Sequence, residues 1–383
     1  MSTLIEDPLL ALSAESSARL PALAEHVDQL ACPPASAVVI THILDTALPF
    51  IEAISRAVDL VAVIGIPYST MPTARRQLEA AGHRVVIPPD IESLPALARE
   101  EIERASALRE EPVIVQEIGG YCAPFAEELW EAGLIAGIVE DTKQGHWRYA
   151  ERGNLPCPVL SIAESPLKAL EDQQVGRSIS HALETILRRQ FHRLLTETKV
   201  GILGYGGIGE ATAVALSSLG ARVAVFDQCG IRMAKAALDG FGETSREELI
   251  RKSDVVLGVS GHRSIEGKDL ELLRPGTILA SGSSKQVEID LGALNLMAVE
   301  KSEPGLVQHF TLSEGKQVFL LNEGMPINFL EQSILGRVLD LVYTELFLCM
   351  REIALGNVGP GLQSLDIDQH RMAAQKWHRL HWV

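Results

Sequence analysis

The sequence predicts an α/β protein built from two Rossmann-like, doubly wound parallel-sheet domains and a C-terminal tail. Three observations carry that prediction. Residues 199–241, KVGILGYGGIGEATAVALSSLGARVAVFDQCGIRMAKAALDGF, read as a strand-helix-strand unit with a glycine turn. Ahead of it, apolar runs of strand length alternate with helically spaced stretches, the pattern of a parallel sheet with helices on both faces. At 383 residues the chain is long enough for two domains, each with its own core.

In the 199–241 unit, residues 200–203 read as a buried strand and residues 210–219 as an alanine-rich helix. The turn between them is Gly204-Tyr205-Gly206-Gly207-Ile208-Gly209. Gly204 permits the tight bend, Gly206 lets backbone approach a pyrophosphate, and Gly209 lets the helix pack close to the strand. The N–H groups at the helix start then face the anion, with Gly207 and Ile208 completing the candidate turn. The second strand, 222–226, ends at Asp227, where a carboxylate accepts hydrogen bonds from an adenosine ribose. That favours NAD as cofactor over NADP. Arg232, five residues on, is a candidate contact to a ribose phosphate and keeps NADP as the alternative.

Apolar residues make up 46% of the chain and charged ones 22%, as in ordinary soluble domains. A formal net charge of −16 argues against nucleic acid or an anionic membrane surface as partner. An anionic cofactor must therefore be held by local amides and a few placed cations. The five cysteines, Cys32, Cys122, Cys157, Cys229 and Cys349, show no metal-ligand spacing and read as thiols of a reducing compartment. With no signal-peptide pattern and no run of membrane-spanning length, the expected location is the cytoplasm.

Taken in order, residues 1–36 read as helical, ended by Pro33-Pro34. Strands follow at 38–41, 60–66, 83–87, 112–115, 134–139 and 156–163, with helical stretches to about 57 and over 73–82. Ligands of such sheets collect beyond the carboxyl ends of the strands, and His42, Glu117 and Asp141 all fall there. Lys168 and Asp172 are four apart, so in a helix they share a face and form an ion pair. A long helix, 178–195, connects to the glycine turn. Beyond residue 241 come a helix at 245–252, a strand at 254–259 leading to Ser260-Gly261-His262, and strands at 277–280 and 318–321. The expected division is a substrate domain over 1–180, completed by about 330–355, an NAD-binding domain over 190–328, and a tail over 356–383.

These residues together resemble the S-adenosylhomocysteine hydrolase family. The stretch GARVAVFDQCGIRMAKAALDGF runs without a gap against that family's second strand and helix, and VEID (287–290) and LLNEGMPINF resemble its later landmarks. EDTKQG resembles its Glu-Glu-Thr-Thr-Thr-Gly turn, and SPLKALEDQQVG its Ser-Val-Thr-Lys-Ser-Lys-Phe-Asp-Asn-Leu-Tyr-Gly block. The match runs from about residue 42 to residue 328.

The resemblance implies a permanently held NAD that oxidises the 3′-hydroxyl of a bound nucleoside, so that elimination and addition of water can follow. It implies Lys168 beside that hydroxyl with Asp172 as its carboxylate neighbour. Asp141 stands at the ribose, His42 in place of a histidine on the first strand, and Glu117 in place of an aspartate near the reacting carbon. A lysine so placed accepts the hydroxyl proton if burial lowers its pKa. Thr142, Asp227 and Asn328 match NAD-contacting positions, with Asn328 on the nicotinamide carboxamide; Ser260 and Gly261 join the cofactor set. The ending KWHRLHWV resembles one that caps a neighbouring subunit's NAD through a lysine, here Lys376, which implies a homo-oligomer.

Departures are equally specific. Before VEID the family has a histidine where this chain has Ser283 or Ser284, and the loop that closes over the adenine after Asn328 is missing. Gln173 replaces an asparagine, Leu380 and Trp382 replace the tyrosines of the ending, and Val175 or Arg177 replaces a cysteine. Three readings follow: an NAD-dependent enzyme of this type with an altered nucleoside-like substrate, S-adenosylhomocysteine hydrolysis proper, or a non-catalytic NAD-binding protein. His146, Trp147 and His262 lie close to the motif turns.

Overall fold

A computed structural model describes residues 20–242, 244–283, 285–331, 333–334 and 336–382. The chain divides into two compact units, Met1–Glu171 with Leu335–Val383, and Asp172–Ile334.

In the first unit the strands are β1 (Ser36–Ile43), β2 (Asp59–Thr70), β3 (Val85–Val86), β4 (Val113–Glu117), β5 (Ile135–Glu140) and β6 (Pro158–Ser161). Neighbours pair in parallel throughout. Val38, Val39 and Ile40 of β1 are all fully buried, as they must be in a strand covered by helices on both faces. Because β1 pairs with both β2 and β4, the strand order reverses between β1 and β4. His42 and Glu117 stand at the carboxyl ends of these two strands, beside the crevice that such a reversal opens. Helix Leu94–Arg109 covers one face with Leu94, Ala98, Ile102 and Ala105, spaced for a single apolar stripe.

The second unit contains β7 (Lys199–Leu203), β8 (Arg222–Phe226), β9 (Val255–Gly258), β10 (Thr277–Ser281), β11 (Ala298–Lys301), β12 (Val307–Leu312) and β13 (Gln317–Leu321). Their order is β11-β12-β13-β10-β9-β7-β8. Five strands are parallel, but β11 and β12 run antiparallel at one edge, a departure from a purely parallel sheet. Along β12, Gln308, Phe310 and Leu312 are buried and the residues between them only partly so. That alternation belongs to an antiparallel strand with one covered face. The VEID segment is no ladder strand: Ile289 makes a single bridge to Ile265, and Asp290 caps helix Leu291–Met297.

The segment read as a tail is ordered within the first unit. Strand β14 (Gly361–Gln363) pairs with β6 and completes the sheet β14-β6-β5-β4-β1-β2-β3. Helix Ile367–His381 follows, started by a reciprocal capping box between Asp366 and Gln369. Helix Val338–Ala354 offers the buried Asp340 carboxylate to Ala22 N and Leu23 N, each at 2.8 Å, and to His381 Nε2 at 2.6 Å. One side chain thus satisfies orphan amides at the start of helix Pro21–Gln29 and ties down the end of the chain.

Candidate active site and cofactor domain

The first unit gathers charge at the carboxyl edge of its sheet. Lys168 opens helix Lys168–Phe191; its Nζ lies 2.6 Å from Asp141 Oδ1, just past β5, and also pairs with Glu171. Side-chain exposures of 14% for Lys168 and 15% for Asp141 leave the pair largely out of water. Burial by itself would push the lysine pKa down, but the Asp141 and Glu171 carboxylates outweigh it and hold the ammonium well above the ordinary lysine value. The expectation that burial lowers this pKa is therefore corrected: the cluster keeps the proton on Lys168. On the helix it is the residue three positions on, Glu171, that meets the ammonium. Asp172 lies beside the glycine turn, where a Cβ on Gly207 would come within 2.2 Å of its Oδ2.

Glu117 is placed differently from a group that touches substrate. It is fully buried, and its oxygens accept from Tyr121 N (2.6 Å), Cys122 N (3.2 Å) and the Tyr149 hydroxyl. Next to it Glu140, also fully buried, accepts from Gly119 N, Gly120 N, Thr142 N and Thr142 Oγ1. Burial, and then the neighbouring Glu117 charge, raise the Glu140 pKa against those donors. The two glutamates fix the turns after β4 and β5, and so fix where Asp141 stands. Thr142 caps helix Lys143–Glu151, accepting from Gly145 N at 3.1 Å. His42 hydrogen-bonds Ser69 through Nδ1. His146 meets Ser161 Oγ at 3.0 Å, with burial lowering its pKa.

In the second unit the glycine turn sits between β7 and helix Gly207–Ser218. Gly204 has φ +110°, open to glycine, and a Cβ on Gly209 would lie 2.1 Å from the Gly204 carbonyl oxygen. At Gly206 the only atoms within 4 Å of such a Cβ belong to the Arg232 guanidinium, at 3.9 Å. Asp227 accepts from Tyr205 N (2.7 Å) and Cys229 N (2.8 Å) and pairs with Arg232 at 3.3 Å. Gly204, Asp227, Cys229 and Arg232 line a cavity of about 390 Å³ that also reaches Ser260 and His262. Ser260 N and Gly261 N both donate to the buried Glu288 of VEID, at 2.7 and 2.6 Å, and burial raises the Glu288 pKa. Asn328 is 5% exposed; its Nδ2 donates to Ser333 Oγ at 3.2 Å while its Oδ1 has no hydrogen-bond partner among the described residues. Ser281 Oγ, at the end of β10, is likewise buried without one.

This set fits a dinucleotide. Open space at Gly206 under a guanidinium suits a pyrophosphate, the Asp227 carboxylate suits a ribose diol, and an unpartnered amide oxygen at Asn328 suits a carboxamide donor. Residues 177–333 match the model of the S-adenosyl-L-homocysteine hydrolase NAD-binding domain. The chain thus carries an NAD-binding domain similar to that family's. Its cofactor is NAD. It is 33% identical over 229 residues to the adenosylhomocysteinase of Thermotoga maritima, covering 58% of this chain and 56% of that one. It is 27% identical over 253 residues to the adenosylhomocysteinase of Aeropyrum pernix, covering 64% and 60%. Identity to the S-inosyl-L-homocysteine hydrolase of Methanopyrus kandleri is 30% over 230 residues, covering 58% and 54%. The chain thus spans little more than half the length of the curated relatives it matches. Among solved structures, a phosphoglycerate oxidoreductase from Vibrio cholerae aligns with a TM-score of 0.48 and 15% identity, over 84% of this chain and 99% of that one.

Several placements were beyond the sequence patterns. Glu171 has the same helical reach toward Lys168 as Asp172, three residues against four, so spacing alone pointed to either. Glu140 and Glu288 were visible only as letters inside EDTKQG and VEID. Lys376 Nζ donates to Gln29 Oε1 at 2.9 Å and lies 3.6 Å from Glu25, both in its own chain. Ser284 lies outside the described residues. None of the five cysteines is in a disulfide, and no helix among the described residues is long and apolar enough to cross a membrane.

Proposed function

We propose that the protein is an NAD-dependent enzyme that oxidises a hydroxyl of a nucleoside-like substrate, with base recognition altered from that of the adenosylhomocysteinases. The observation that carries this reading is the largely buried Lys168–Asp141 pair at the carboxyl edge of the first sheet. A cation held between carboxylates beside a ligand crevice is poised to bind a hydroxyl oxygen and to handle its proton. When bound, NAD supplies the hydride acceptor. A substrate hydroxyl entering between Lys168 and Asp141 takes one carboxylate away from the ammonium, and the lysine pKa falls toward the range in which its amine accepts the hydroxyl proton. Asp141, released, accepts a hydrogen bond from a neighbouring hydroxyl, and His42 stands at the end of β1 as a further polar contact. Glu117 and Glu140 shape the turns and do not touch the substrate. Missing loop residues after Asn328 leave adenine edges without a lid, which supports a different or smaller base. The name S-inosyl-L-homocysteine hydrolase on a relative at 30% identity is consistent with variation at the base. A homo-oligomer, in which the C-terminal helix approaches a second copy, and a cytoplasmic location belong to the same reading.

A second reading is favoured by one observation: Lys168 is paired with two carboxylates and stays an ammonium, as a purely structural lysine would. The chain is then a non-catalytic NAD-binding protein. Near-ultraviolet absorbance of the NAD-loaded protein separates the two. The enzyme reading requires the reduced-nicotinamide band on adding adenosine, inosine or S-adenosylhomocysteine, and its loss in Lys168→Ala with NAD still bound. No band with any nucleoside, despite demonstrable NAD, sinks the enzyme reading for these substrates.

A further inference from the structure

The residues that hold Lys168 in place extend well beyond its two carboxylates. The sequence just before it is Ser165-Pro166-Leu167-Lys168. Ser165 Oγ accepts from Leu167 N at 3.0 Å and from Lys168 N at 3.4 Å, the geometry of a helix N-cap, with Pro166 at the position where no N–H is required. An N-cap hydroxyl has one proton left to donate, and here it goes to Glu345 Oε1 at 2.5 Å. Glu345 is fully buried on helix Val338–Ala354, and the same oxygen lies 2.5 Å from His370 Nδ1 on helix Ile367–His381. With an ionised carboxylate as acceptor, Nδ1 carries the proton. Ser165 is 4% exposed and His370 6%, so water does not compete for these bonds.

We infer that Ser165, Glu345 and His370 are positioning residues for Lys168, forming one hydrogen-bonded line from the C-terminal helix to the backbone of the lysine. The first turn of helix Lys168–Phe191 has two orphan amides tied to a single oxygen, and that oxygen is fixed only because its proton is committed to Glu345. Glu345 in turn is held by an imidazole 25 residues later in the sequence, on the C-terminal helix. Docking of the C-terminal helix therefore sets the place of Lys168 relative to Asp141. The importance of the line for catalysis rests on the proposed role of Lys168; its existence does not.

The test reads Lys168 directly, without substrate. The NAD-loaded full chain is treated with ¹³C-formaldehyde and a mild reductant, and methylation of Lys168 is quantified by mass spectrometry against exposed Lys143 in the same digest. In wild type Lys168 is protected. Ser165→Ala and His370→Ala should each raise its labelling by roughly fivefold to tenfold, the opening that a lost helix cap permits, with Lys143 unchanged. Ser165→Thr, which keeps the hydroxyl, and His370→Gln, which keeps a donor to Glu345, should restore protection. General loosening of the unit would instead raise labelling at Lys143 as well and give no rescue, which would overturn the inference. So would unchanged Lys168 labelling in either alanine variant. Absence of nucleoside-dependent reduction in the wild type, with Lys168 protected there and opened in both alanine variants, would count against the enzyme reading and leave this one standing.

Discussion

Asp141 Oδ1 and Lys168 Nζ meet at 2.6 Å although 27 residues separate them, because β5 and β6 are neighbours in the sheet: Asp141 follows β5 directly, and Lys168 opens the helix that follows β6. With Glu171 completing the cluster, the ammonium is surrounded by negative charge in a nearly dry place. Replacing Lys168 by Met removes the cation and strands both carboxylates, so the variant should lose about 3 kcal/mol of stability at neutral pH. Since the folded pKa of the lysine is raised, its stabilisation is complete below the unfolded value and is lost only as pH climbs through the folded one, above the alkaline range used for enzymes. Urea denaturation of wild type between pH 6 and 9 should therefore show no loss traceable to this group. A Lys168→Met protein as stable as wild type would mean the pair contributes nothing to folding.

A different histidine sets the acid limit. His26 is fully buried in helix Pro21–Gln29, with neither ring nitrogen hydrogen-bonded among the described residues. Burial lowers its pKa from the usual value to about 4, with Lys376 adding to the effect and Glu25 opposing it. The unfolded chain thus binds the proton more readily than the folded one. Stability is complete above the unfolded pKa and falls as pH drops from there to about 4, by about 2–3 kcal/mol for this group alone. His26→Leu should flatten that fall. Thermal denaturation at pH 7.5 and pH 5 checks it: equal drops in Tm for wild type and variant would show that His26 is not held neutral.

What could be read from the sequence follows from how local each feature is. The glycine turn, β7, β8 and Asp227 lie within one strand-helix-strand stretch, so turn chemistry and apolar periodicity specify them together. The β1 to β6 strands of the first sheet were legible for the same reason, as continuous apolar runs, mostly buried except at the short edge strand β3. Strands β11 and β12 were not, because an exposed edge strand and a half-exposed antiparallel neighbour carry too few consecutive apolar residues to stand out from a polar loop. The Lys168–Asp141 pair depends on which strands are neighbours, which spacing does not encode. Helix Ile367–His381 owes its place to His370 and His381 meeting Glu345 and Asp340, contacts invisible in a stretch that reads as a Gly- and His-rich tail.

Glycine substitutions in the second unit separate close approach from mere flexibility. A methyl at Gly209 meets a backbone oxygen at 2.1 Å, and backbone cannot swing away as a side-chain tip can. Gly209→Ala should force the turn apart at a cost of about 1–3 kcal/mol and release NAD during purification. Gly230→Ala, at the start of helix Gly230–Leu238 with nothing within 4 Å, should be neutral or stabilise by roughly 0.5–1 kcal/mol. Tm and bound-NAD content measured on both proteins make the comparison. Retained NAD in Gly209→Ala would contradict the tight helix–strand approach.

The unpartnered oxygen of Asn328 yields the most selective cofactor prediction. Nδ2 is committed to Ser333 Oγ, which fixes the amide plane and leaves Oδ1 buried with no donor among the described residues. An acceptor in that state costs the protein alone and is repaid by a ligand that brings an N–H, as a nicotinamide carboxamide does. Asn328→Ala should accordingly weaken NAD about tenfold while leaving the Tm of the cofactor-free chain unchanged or slightly higher. ADP-ribose, which has no carboxamide, should bind wild type and variant alike. Isothermal titration with both ligands decides the point: if Asn328→Ala lost affinity for ADP-ribose as much as for NAD, the residue would be supporting the fold of the pocket and not reading the nicotinamide.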